Sequence, residues 1–314
     1  SVMPNYNGVW SLTTQYQYAA DWPVFSQPRA LFLGGNTGSK ETVIQFIDVT
    51  TTGNASDFGD LTAGRASLMS ASSKIRAVAA GGNTGSAVNV IDYVTIASEG
   101  NASDFGDLSS TSQEGTGTGS STRGLFQLGL ATSNVNTVEY VTIASTGNAT
   151  DFGDRTTTAA YGQDSAVSSP TRGVFSGGFI SNSVNIIDYV TIASTGDATD
   201  FGDTSVTRYG MGGASSSTRG VFGGGNTSGD TMDYITIAST GNASDFGNLT
   251  NSPRYISGTS NGVRGIFGGG KVSSTSQDVI QYITIASTGN ASDFGNLIAS
   301  NFSLTATSGS HGGI

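Results

Sequence analysis

Oxygen-bearing side chains recur along this chain at a fixed step of three residues. Asn54, Asp57 and Asp60 could gather oxygens around Ca2+. However, the set lacks the odd-position acidic ladder of a calcium loop. One copy, Asn242, Asp245 and Asn248, loses a charge, and Asp197 replaces the Asn in another. Asn and Asp at fixed turn positions cap backbone amides, so these are expected to be turn residues, and no metal or cofactor is expected. Five copies of Asn-Ala-Ser/Thr fit the glycosylation acceptor pattern, but their fixed place in the sequence again argues for turns. The run Gly34-Gly35-Asn36-Thr37-Gly38 has no following Gly-Lys-Ser/Thr and no helix signal, so phosphate cradling is not expected. The single histidine, His311, stands in a glycine-rich stretch near the last residue, poor ground for a Ser-His-Asp triad. A carboxylate pair for glycoside cleavage would have to come from 23 acids, most of which recur in register. Glu114 and Asp164, outside that register, are isolated. No enzymatic activity is expected.

The element that positions all of these is a repeat. Asp-Phe-Gly begins at Asp57, Asp104, Asp151, Asp200, Asp245 and Asp293, in steps of 47, 47, 49, 45 and 48 residues. A second marker, Arg29, Arg76, Arg123, Arg172, Arg219 and Arg264, keeps the same period and opens an apolar run each time. Such periods mark blades, solenoid turns or arrays. Only 11% of residues are charged and 46 are Gly, yet each copy carries β-branched and aromatic residues, which suits many short strands joined by tight turns. With no Cys, disulfides, thiolate catalysis and Cys-based zinc sites are excluded. No segment has the ~20 apolar residues of a membrane helix, and no signal peptide is visible at Ser1-Val2-Met3-Pro4. A net charge of −10, with six of 13 basic residues held in the repeat, argues against a nucleic-acid surface.

Each unit reads as four strands. In one copy, strand B is Arg219-Gly220-Val221-Phe222-Gly223-Gly224. Strand C runs from Asp233 to Ala238, a turn occupies 239–244, and strand D runs from Phe246 to Thr250. Strand A of the next unit is placed at 254–260. Elsewhere strand A is made of small residues, as at 115–119 and 210–214, which fits the crowded innermost position of a propeller.

Arg-Gly-Ile-Phe-Gly-Gly (264–269), Tyr282, and Phe294 with Leu297 resemble the kelch repeat, with Phe in place of its Trp and the glycine doublet lost at Leu128-Gly129. The resemblance spans roughly 29–311 and implies an all-β, six-bladed propeller of four-stranded antiparallel blades. The wording of residues 140–154, Tyr-Val-Thr-Ile-Ala-Ser-Thr-Gly-Asn-Ala-Thr-Asp-Phe-Gly-Asp, is similar to repeats in virion proteins of bacteriophages, especially marine ones. Residues 8–23, Gly-Val-Trp-Ser-Leu to Trp-Pro, resemble a segment of tail-fibre proteins.

Two domains follow: an attachment arm over 1–28, with a short helix expected between Ser11 and Pro23, and a propeller over 29–314. Residues 302–308 form a strand A with no blade of their own, and the first unit lacks a strand A, so the last strand should complete blade one. Seven blades are the alternative if 8–24 join a blade. Trp10, Tyr16, Tyr18 and Trp22 are the expected anchors of the arm on other virion proteins.

The C–D loops are nearly identical between copies, whereas the B–C and D–A loops, which share the opposite face, differ. The varied face is the expected ligand or partner surface, through Lys40, Arg65, Tyr161, Arg208, Tyr209, Arg254, Tyr255 and Lys271. On the uniform face the repeat Arg is expected to pair with the repeat Asp, as Arg219 with Asp245. The phage resemblance implies a non-enzymatic virion protein, of tail-fibre or adhesin type, that attaches to host-surface glycan. The alternatives are a capsid or tail decoration subunit without a receptor, or a propeller glycan hydrolase. Homo-oligomers enter by analogy with tail fibres only.

Overall fold

The computed structural model describes residues 28–130, 133–158 and 165–314. They form six antiparallel sheets set as the blades of a β-propeller, with no helix among them. In every blade strand B opens at the marker arginine: Arg29–Leu33, Arg76–Ala80, Arg123–Gln127, Arg172–Ser176, Arg219–Gly224 and Arg264–Gly268. It lies between the innermost strand A and strand C, and strand D is outermost.

The ring closes as the sequence implied. The last strand, Thr305–Ser308, pairs with the first in register Ala30↔Ser308 through Leu33↔Thr305, so blade one takes strand A from one end of the propeller and strands B to D from the other. The arm, including Trp10, Tyr16, Tyr18 and Trp22 and the expected helix, lies outside the described residues, as do Tyr161 and Asp164.

Strand boundaries moved where a bulge intervenes. In blade five strand C is Thr231–Thr236 and strand D Ser244–Asn248, both two residues earlier than expected, and the register between them shifts at Met232 and Asp233. The extra residue of a bulge is invisible to strand propensity. Strand A of blade six is only Ser257–Ser260, since Tyr255 adopts φ 57° and ends any extended run there.

The apolar core lies between blades rather than within them. Strand B alternates its side chains, so in blade three Phe126 packs with Met69, Phe105 and Leu108 of blade two, while Leu125 packs with Phe175 and Val190 of blade four. Six such clusters circle the ring. A module of this size cannot bury both faces alone, and stacking around an axis supplies the missing partner on each side. On the axis, strands A leave two cavities of only about 50 and 40 Å³.

The segment after the last strand crosses one end of this axis. Ser308 donates to Ser260 O, His311 Nε2 sits 3.1 Å from Ser72 O, and Gly312 lies against Ser168 and Ser216. A Cβ on Gly313 would stand 1.9 Å from Gly119 O, so only glycine fits. The segment therefore touches the A–B corners of blades two to six and stoppers the channel on that face.

Candidate functional site

The uniform face is a set of clasps between blades. The turn of each C–D loop lies along strand D of the preceding blade: Gly100 N donates to Phe58 O at 2.8 Å, Ala102 N to Asp60 O at 2.7 Å, and Asp60 N to Asn101 Oδ1 at 3.1 Å. The same three bonds recur at all six junctions, with Asp197 filling the Asn role once. The Gly of Asp-Phe-Gly is explained by this approach, since a Cβ on Gly59 would lie 2.4 Å from Gly100 O. The Asn54 carboxamide caps Asn296 N. Among the described residues no three His, Cys, Asp or Glu side chains cluster closely enough to hold a metal.

The marker arginines do not pair with the repeat aspartates. Arg219 Cζ lies 4.5 Å from the centroid of Tyr234 and Nη1 donates to Ile285 O of the next blade at 3.0 Å. All six arginines repeat this geometry, with Arg29 over Phe46 in blade one. The ring and the neighbouring carbonyls capture the guanidinium, and Asp57, Asp104, Asp151, Asp200, Asp245 and Asp293 are exposed. Among the described residues only Arg29 of the six finds an acid, Glu99 at 2.9 Å. Each Tyr also meets the repeat Phe edge-on, as Tyr234 meets Phe246 at 6.1 Å.

Arg65 and Arg208, expected on the contact surface, are fully buried. Arg65 Nη2 pairs with Asp92 at 2.5 Å and Arg208 Nη2 with Asp233 at 2.7 Å, all four side chains shielded from solvent. Burial pulls both guanidiniums below their ordinary value, and the facing carboxylates oppose the shift. Arg155 reaches Asp188 in the same way from a different position. In each case a D–A connection is fastened to strand C of the following blade. Sequence variation between copies singled these residues out, but it reflected alternative internal solutions, not contact with a ligand.

The remaining residues of the varied face do come together. Just before strand A, backbone bonds run from blade to blade around the axis: Ser67 N to Ser303 O at 2.7 Å, Glu114 N to Ser67 O at 3.0 Å, Tyr255 N to Gly210 O at 2.8 Å, and Ser303 N to Tyr255 O at 3.2 Å. Ser67, Glu114, Tyr255 and Ser303 hold φ of 57°, 62°, 57° and 55°, a left-handed geometry that costs energy without glycine and concentrates at functional sites. They rim the unstoppered mouth of the channel. Sequence reasoning missed this rim and saw Glu114 only as isolated. Their common place just before strand A was the available signal.

Aromatic residues gather on one side of the mouth. Phe179 meets Tyr209 at 5.5 Å edge-on, and Tyr209 meets Tyr255 at 6.0 Å. Burial, and then Tyr209 beside it, raise the Tyr255 hydroxyl above its ordinary value. Arg254 Cζ is 5.4 Å from the Tyr255 centroid, and Lys271 Nζ lies 3.8 Å from that of Phe302. Between blades five and six a cleft of about 450 Å³ opens, lined by Asn226, Ser252, Arg254, Lys271, Ser273 and Ser274. Lys40 is half-exposed in the B–C turn of blade one, away from this cleft. Both ring nitrogens of His311 are occupied, by Ser72 O and Gly313 N. No protein-family model matches this chain, and no curated protein does.

Proposed function

We propose that this chain is a non-enzymatic bacteriophage virion protein whose propeller attaches to glycan on the host surface. The source of the phage reading is the kelch-like and virion-like wording of the repeats. The observation that carries the adhesive role is the asymmetry of the two faces. One face repeats a single clasp six times, while the other concentrates Phe179, Tyr209, Tyr255, Arg254 and Lys271 beside a cleft large enough for a sugar ring or two. Aromatic faces with hydroxyl and amide groups suit sugars, whose C–H surfaces stack and whose hydroxyls need paired donors and acceptors. On this reading the arm over 1–28 joins the propeller to other virion proteins, and Lys40, on another blade, is peripheral.

Binding to an array of cell-surface glycans is the test. Recognition of a defined set of glycans, weakened by Tyr209→Ala, is expected. Absence of binding by the intact chain would favour a decoration subunit, and release of reducing sugar would favour a hydrolase.

A further inference from the structure

Arg254 and Lys271 are locked side by side by a two-residue bridge, Arg254 N to Lys271 O at 2.9 Å and Lys271 N to Arg254 O at 2.7 Å. Directly opposed residues of an antiparallel pair carry their side chains on the same side, where like charges destabilise. The equivalent contacts of other blades avoid this: Ala66 with Asn83, Gln113 with Leu130, Tyr209 with Asn226, and Phe302 with Asn36. Among the described residues neither cation of the charged pair forms an ion pair. Each rests instead on an aromatic ring, and the buried Nε of Arg254 has no hydrogen-bond acceptor. The buried arginines of other D–A connections, Arg65, Arg155 and Arg208, each have a carboxylate. In this junction Pro253 stands where Arg208 does and neutral Gln281 where Asp233 does, with the Gln281 Oε1 occupied by Thr250, so no carboxylate of that kind faces Arg254.

We infer that the cleft between blades five and six is an anion site, and that the glycan bound there carries a negatively charged group, a carboxylate or a sulfate ester, held by Arg254 and Lys271. This rests on the glycan reading above and narrows it. The guanidinium offers a fork of donors to two oxygens, the ammonium a point charge beside it, and Asn226, Ser252, Ser273 and Ser274 can bond neutral hydroxyls. On a chain of net charge −10, a polyanion would be repelled elsewhere, so binding should be local and salt-dependent.

Calorimetric titration of the whole chain with three galactose-type oligosaccharides of equal length, one uronic, one sulfated and one neutral, at about 20 and about 200 mM NaCl, tests this. At least one acidic form should bind about tenfold or more tighter than the neutral form, lose affinity with salt, and be displaced by inorganic sulfate. Which acidic form wins identifies carboxylate or sulfate. Arg254→Gln, and independently Lys271→Gln should the first variant misfold, should abolish the preference. Equal binding of the neutral form, or acidic binding untouched by salt and by both variants, would overturn the anion site while leaving glycan attachment standing. Binding of none of the three would overturn both.

Discussion

Arg208 Nη2 lies 2.7 Å from Asp233 Oδ2, and neither side chain touches solvent. The pair joins the connection leaving blade four to strand C of blade five. Nη1 of the same arginine bonds Gly224 O at 3.0 Å and Thr231 O at 2.6 Å, while Ser205 occupies the rest of the carboxylate. Elsewhere the ring solves the junction without charge: Gln45 faces Ile298 N, and Asn301 takes the loop position of Arg208. Arg208→Ala should destabilise by about 3–5 kcal/mol, since it leaves a buried carboxylate without its cation. The double change Arg208→Asn with Asp233→Gln, copying the neutral junction, should recover most of that loss. Denaturant unfolding of Arg208→Asn, Asp233→Gln and the double variant measures the coupling. Additive losses would show the pair to be incidental.

The clasp between blades one and two makes a second expectation. Gly59→Ala forces a methyl to 2.4 Å from Gly100 O at φ 146° and should lower stability by about 1–3 kcal/mol. Asn101→Ala removes only one bond to a partly solvated amide and should cost about 0.5–1.5 kcal/mol. Thermal unfolding that ranks the two in reverse would contradict the clasp.

The stopper is addressed by its histidine. Burial lowers the His311 imidazole from 6.5 to about 4, only partly offset by its bond to Ser72 O. With its folded value below the free one, the folded state binds fewer protons. Stability is therefore full above about pH 6.5 and falls as pH drops toward 4, by up to about 1.4 kcal/mol per unit. Because the chain has one histidine, NMR titration reads it without ambiguity. A midpoint below about 5 is expected, and one near 6.5 would place the segment in solvent.

Closure has its own test. Removing residues 302–314 takes strand A from blade one and bares the edge of Ala30–Leu33, whose partners are Thr305–Ser308. The truncated chain should aggregate or lose cooperative unfolding. A well-folded monomer would mean the ring does not need its latch.

How far the sequence reached depends on the length scale of the cause. Blade number, strand order and the closing strand followed from period and alternation, which are local. The Phe222 face and the Arg219 start were legible because every copy repeats them. The partner of Arg219 was not, because it is the carbonyl of Ile285 in the next blade, and strand-level reasoning cannot see across that gap. Arg208 was misplaced for a related reason: a charged residue in a variable loop reads as exposed until the facing Asp233 is in view. Tyr209, Tyr255, Arg254 and Lys271 were named singly, but only the fold sets the two tyrosines beside a cleft lined by Arg254 and Lys271. Glu114 belongs to a rim of left-handed residues that only the closed ring brings together.

Where a bound saccharide sits decides whether the varied face does the binding. A co-crystal structure of the chain with an oligosaccharide selected on the array should show it between blades five and six, against Tyr255, Arg254 and Lys271. Density on the C–D side of the ring, or no bound sugar at saturating concentration, would contradict the attachment role.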